Sequence, residues 1–228
     1  MMSSKKINKG NDYGSQKLQI TESGYFKFSD LIDVKYTEWS RAYEYPYIMK
    51  FLENKFSKES IKIHNTCCGG HHIDHVNFLK DLELKKEWFI LNSDLNDYAY
   101  EGYIKNNLKS PFEFYDITKP FDKKFDVIIN VSTLEEIPHI NYPDYFENSY
   151  NQLNLGGYLI ITCDVPPANL DDLFNGLNIF NESSYNFTPL LNKPNDALNS
   201  NNTLVENAPK SISEHSGVFY LILQRRGL

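Results

Sequence analysis

The chain has 228 residues, 41% of them hydrophobic and 23% charged, and a formal net charge of −7. That length allows one large α/β domain with a full core or at most two small ones, in a composition ordinary for a globular protein. The acidic excess gives no general hold on a phosphate backbone, which makes nucleic acid a poor default partner, and three cysteines do not read as a disulfide framework.

Residues 1–24 are polar, rich in Gly, Ser, Asn and Lys, and read as a flexible N-terminal arm. They hold no apolar core of signal-peptide length, and the apolar runs further on are too short to span a bilayer. A cytoplasmic location and no membrane partner are expected; nothing here favours or excludes an oligomer. Residues 25–60 read as an N-terminal helical segment. In "TEWSRAYEYPYIMKFLENKF", Tyr43, Tyr47, Met49, Phe51, Leu52 and Phe56 suit one helix face, and Pro46 predicts a kink or a helix start. Trp39, Tyr43, Tyr45 and Tyr47 read as core rather than as a lid.

Residues 61–228 form the main domain. "SIKIHNTC" is β-like and ends at Gly69-Gly70, and "HHIDHVNFLKDLEL" has helical spacing. "EWFILNSD" is a buried strand ending on Asp94, "YAYEGYIKNNL" a helix, and "FEFYDI" a strand ending on Asp116. "KFDVIINVS" is a central strand. "YPDYFENSYNQLNL" is helical and is expected to stop at Gly156-Gly157, and "GYLIITCD" is another buried strand. "NLDDLFNGL" is a short helix, residues 190–210 are an Asn- and Pro-rich loop, and "SGVFYLILQRR" is a last strand. Five strands alternating with helices indicate a parallel sheet covered on both faces.

In such sheets ligands bind at the carboxyl ends of the strands, where strand order reverses. Gly69-Gly70, Asp94, Asp116 and "NVS" at 130–132 fall at strand ends. An Asp about 25 residues after a glycine turn suits a ribose, held through its two hydroxyls, although "CCGGHH" is not G-x-G-x-x-G. The plain alternative is that both aspartates cap the following helix.

The order of these stretches resembles the class I S-adenosylmethionine-dependent methyltransferases. "IHNTCCGG" is similar to their first motif, "ILNSDL" to the second, "FEFYDITKPF" to the third, "FDVIINVSTLEEIPH" to the fourth and "LNLGGYLIITCD" to the fifth. "EYPYIMKFL" resembles the N-terminal helix of some members, and the likeness covers roughly residues 41–165 and the last strand. It implies a Rossmann-like α/β sheet, mostly parallel, with an antiparallel C-terminal strand and helices on both faces. It also implies an S-adenosylmethionine site built from Asn65, Cys67, Gly69, Gly70, Asp94, Leu95, Asp116, Ile117, Val131 and Ser132, with Asp94 on the ribose, Asp116 near the adenine amine and Ile117 packed on the ring. The motif departs from the family at Asn65 for an acidic residue, Cys67 for the first glycine and His71 for a later one. The partner implied is a small-molecule methyl acceptor, O- or N-methylated. The alternative is a non-catalytic binding or assembly module of the same fold.

Cys67, Cys68, His71, His72 and His75 also invite a zinc or copper site, since His71 and His75 share a helix face. Adjacent cysteines chelate one tetrahedral metal poorly, so no metal is expected, and the Cys-x-x-Cys spacing of a redox pair is missing. The reading preferred is two small residues in a tight turn, with His72 and His75 on a solvated helix face. Past the fourth strand, Glu136 and His139 are the candidate general bases; with Glu135, the glutamates also suit a helix N-terminus.

Overall fold

A computed structural model describes residues 18–25, 36, 40–57, 59–164, 168–181 and 218–226. The expected loop at 190–210, Trp39 and residues 1–17 of the arm lie outside them. In chain order the elements are β1 (Leu18–Tyr25), α1 (Arg41–Phe56), β2 (Lys62–Thr66), α2 (Ile73–Glu83), β3 (Phe89–Asp94), α3 (Asp97–Lys105), β4 (Phe112–Phe114) and β5 (Phe125–Val131). A 3₁₀ turn (Leu134–Glu136), α4 (Tyr142–Gln152), β6 (Leu153–Asp164), α5 (Leu170–Asn181) and β7 (Val218–Arg225) complete them.

The strands form one sheet in the order β1-β7-β6-β5-β2-β3-β4. β2 to β6 are parallel, and β7 joins β6 antiparallel. The chain leaves β2 toward β3 on one side, while β5 and β6 lie on the other. The strand order therefore reverses between β2 and β5, the place where the carboxyl ends open a crevice. β5 and β6 are buried on both faces, which is why they read as apolar runs without alternation. On one face Ile63, Val127, Ile129, Ile160 and Ile222 meet α1 and α2 through Tyr43, Ile48, Leu52 and Phe78. On the other, Leu91, Ile128, Ile161 and Leu221 meet α4 and α5 through Phe146, Leu173 and Leu177.

Three expectations are corrected. Residues 18–24 are not an arm: they lie in β1, paired antiparallel with β7 along the sheet edge. Leu18 is buried, its N–H donates to Asn181 Oδ1 at 3.0 Å, and Asn181 Nδ2 returns a bond to its carbonyl. An edge strand needs its backbone partner more than a run of apolar side chains, so its sequence looks polar. α1 packs into the same core as β2.

Second, α1 starts at Arg41, five residues before Pro46. Pro46 lacks the N–H that would reach the Ala42 carbonyl, but burial of Tyr43, Glu44 and Tyr45 fixes the first turn regardless. Third, α4 stops at Gln152, and Leu153–Leu155 already belong to β6. Gly156, at φ +81°, and Gly157 instead form an irregularity in β6, where the pairing with β5 shifts from Leu153 to Tyr158.

Candidate functional site

A cavity of about 640 Å³ opens over the carboxyl ends of β2, β3, β4 and β5, at the strand reversal. Its floor is the turn after β2. Cys67 has φ +50°, Gly69 +64° and Gly70 +127°. A Cβ on Gly69 would lie 2.1 Å from His75 Nδ1, and one on Gly70 2.8 Å from the Ala99 carbonyl oxygen. Glycine is required at both by backbone angle and by space.

Asp94 ends β3 and braces this turn. Gly69 N–H donates to its Oδ2 at 3.0 Å, and Asn96 N–H to its Oδ1 at 2.9 Å. Asp94 lines the cavity, and a carboxylate oxygen that accepts one bond can accept another. Asp116, just past β4, accepts from the Thr118 N–H and hydroxyl at 2.9 and 2.7 Å. Burial pushes its carboxyl up, but those two bonds and Lys119 outweigh it and hold it below the usual carboxylate range. Leu95, Ile117, Val131 and Ile137 give the cavity apolar walls.

The opposite wall comes from α1. Arg41 donates through Nη1 to Glu44 Oε2 at 2.5 Å and to Ser40 Oγ at 3.1 Å, and its Nε faces His75 Nε2 at 3.4 Å. Tyr45 also lines the cavity and stacks on Phe78 with ring centroids 4.2 Å apart. Tyr115, fixed by Gln152 Nε2 at 2.9 Å, adds a second aromatic.

Of the residues expected at a cofactor, Cys67, Gly69, Asp94, Leu95, Asp116, Ile117, Val131 and Ser132 line this cavity. Asn65 and Gly70 do not: Asn65 is buried between strands and donates to Asn92 Oδ1 at 3.0 Å, and Gly70 lies against α3. Of the two candidate bases, Glu136 is on the cavity wall and exposed; His139 is exposed, at φ +57°, and off the wall. His72 is exposed, as expected, but His75 is not on a solvated face. It is wedged against Gly69 and Arg41, and burial, helped by Arg41, His71 and His72, drives its pKa down to about 3, so the ring is neutral.

Burial, then Asp94, pushes the Cys67 thiol up to about 12, and Cys68 is also raised, so neither is a ready thiolate nucleophile. Among the described residues no group of three or more His, Cys, Asp or Glu side chains is set to hold a metal ion. No helix there is long and apolar enough to cross a membrane.

The residues missed in the sequence are Arg41, Asn96, Tyr115, Thr133 and Ile137. Only Arg41 left a signal. A cation in the first turn of a helix opposes the macrodipole, which marks it as held there by something else.

No family model and no curated protein matches the sequence. Solved structures match the fold. The plantazolicin methyltransferase BpumL superposes at TM-score 0.51, with 13% identity over 82% of this chain and 84% of that one. The carbon methyltransferase of CurJ gives 0.51 at 16% identity over 84% of this chain, and the [4+2]-cyclase SpnF gives 0.50 at 10% identity over 90% of this chain and 88% of that one. This chain spans 57% of the CurJ chain and 39% of a coclaurine N-methyltransferase chain that it also matches. It has the fold of the class I S-adenosylmethionine-dependent methyltransferases.

Proposed function

We propose that the cavity binds S-adenosylmethionine and that the chain transfers its methyl group to a small-molecule acceptor, on oxygen or nitrogen. The observation that carries this is the pair of acceptors, Asp94 and Asp116 at the ends of adjacent strands, with Leu95 and Ile117 beside them, over a glycine turn that no Cβ could enter. Asp94 suits the two ribose hydroxyls, since a carboxylate accepts both. Asp116, held ionised, suits the adenine amine, and Leu95 and Ile117 suit the ring faces. Arg41 is the cation on the wall that suits the carboxylate of the methionine part.

The bound cofactor supplies an electrophilic methyl group on a sulfonium. The protein's task is alignment and exclusion of water. An oxygen or nitrogen acceptor also benefits from loss of a proton, and Glu136, on the wall past β5, is the base in this reading. Titration calorimetry of the purified chain with S-adenosylmethionine and with S-adenosylhomocysteine tests it; heat from neither would remove the proposal.

A second reading has one observation of its own. Asn65, where the resemblance expects an acidic residue, is turned away from the cavity into a bond with Asn92. A fold shared by proteins named as methyltransferases and as a cyclase does not fix the chemistry. A chain that binds the cofactor but labels no acceptor in a screen with isotopic methyl would be a binding module or run another reaction.

A further inference from the structure

Glu44 is a fully buried carboxylate in the first turn of α1, and the chemistry above does not use it. Its Oε1 accepts from the Ser132 hydroxyl at 2.5 Å and the Thr162 hydroxyl at 2.5 Å. Its Oε2 accepts from Arg41 Nη1 at 2.5 Å. Ser132 follows β5 on the cavity wall, Thr162 lies in β6 beneath it, and Arg41 faces the cavity from α1. One buried side chain thus ties the helix to the ends of two central strands and holds the arginine against them.

Burying a carboxylate costs several kcal/mol unless it is fully bonded. A stable interface between α1 and the sheet did not need this, since Tyr43, Ile48 and Leu52 already close it. We infer that Glu44 is a positioning residue that presets Arg41 for an anionic group in the cavity, the carboxylate of the methionine part; this rests on the cofactor reading above. An arginine free to rotate loses side-chain entropy on fixing, which a preset one does not. Glu44 also holds Ser132, at φ +40°, so the wall beyond β5 and the arginine are set by the same group.

Two ligands separate this from a purely structural role. S-Adenosylhomocysteine carries the amino-acid carboxylate; 5′-methylthioadenosine has the same nucleoside without it. A charge-assisted bond makes the parent prefer the first by roughly 10- to 100-fold. Glu44→Gln should shrink that preference about tenfold while changing the affinity for methylthioadenosine by less than about twofold. Arg41→Ala should shrink it at least as far, leaving what the ammonium and the extra carbons contribute, and Glu44→Gln added to Arg41→Ala should do nothing more to it. If Glu44→Gln does not fold, Thr162→Val, which removes one donor away from the cavity, should shrink the preference in the same direction. Equal weakening of both ligands would make Glu44 structural only. Tighter binding of S-adenosylhomocysteine in Glu44→Gln would make it a competitor for Arg41, and either result overturns the inference. A parent that binds neither nucleoside brings down the cofactor reading and this role with it; a parent that discriminates, with a Glu44→Gln that discriminates equally, brings down this role alone.

Discussion

Asp94 accepts the Gly69 N–H with one carboxylate oxygen and the Asn96 N–H with the other, so it shapes the turn before any ligand arrives. Asp94→Ala should weaken S-adenosylmethionine binding by about 1–3 kcal/mol, the range for leaving buried polar partners unmet. Calorimetry checks it, and parent-like affinity would take Asp94 out of the site. The two candidate bases separate on geometry. Glu136→Gln should lower kcat roughly 10²–10⁴-fold with cofactor affinity nearly unchanged, whereas His139→Ala, off the wall, should lower it little. If both variants turn over at parent rates, alignment alone drives transfer. The strand-end aspartates were legible because a carboxylate ending a buried strand is conspicuous. Glu44 was not, because "RAYE" reads as an ordinary surface pair; only the fold shows that its acid is buried. The environment of His75 was equally hidden, since it is made by Gly69 folding back against the ring and by a helix more than thirty residues upstream.

At the scale of elements, α3 and the turn after β2 meet backbone to backbone. A Cβ at Gly102 would lie 2.1 Å from the Gly70 carbonyl oxygen, with no flexible side chain to give way. Gly102→Ala should therefore cost about 1–3 kcal/mol of stability, the range for overpacking, measured by urea denaturation. It should also weaken the cofactor, because the displaced atoms belong to the cavity floor. Unchanged stability would mean that α3 slides freely on the turn. The parallel strands were legible as apolar runs, and their parallel direction followed from the strand–helix alternation. Two features were not. β1 gains its stability from β7, some two hundred residues away, so its own residues carry little pattern. The end of α4 was placed at Gly156-Gly157 because glycines commonly stop helices. The helix instead ends where Leu153 is drawn into the sheet opposite Phe125, and the glycines serve the irregularity that follows.

At the scale of the whole molecule, the buried groups His64, His75 and Glu135 act among the described residues on how stability depends on pH between about 4.5 and 8. His64 lies between Gln152 Oε1 at 2.9 Å and Ser93 Oγ at 2.8 Å, and burial lowers its pKa to about 4. His75 is lowered to about 3. Both rings are neutral in the folded chain and take up protons near 6.5 when it unfolds. Their contribution is present above about pH 6.5 and is lost as pH falls through their folded values. Glu135 runs the other way. Burial raises its carboxyl to about 8, against the pull of its bond from the Asp164 N–H and with repulsion from Asp164 and Glu44. Its contribution is complete below about 4.5 and is lost as pH rises through 8. Between 4.5 and 6.5 two histidines oppose one glutamate, so stability climbs with pH; above 6.5 the glutamate makes it decline, and above about 8 the raised thiols of Cys67, Cys68 and Cys163 add to the fall. These groups place the maximum near pH 6.5, roughly where the unfolded chain gains as many protons on its histidines as the folded one holds on Glu135. Melting temperature scanned from pH 4.5 to 7.5, below the range in which unfolded thiols ionise, should show that peak, with the steeper limb on the acid side. Glu135→Gln keeps the acceptor for the Asp164 N–H and removes the titration, so it should flatten the alkaline limb and move the maximum upward. If the variant declines above pH 7 as steeply as the parent, the alkaline limb belongs to another group.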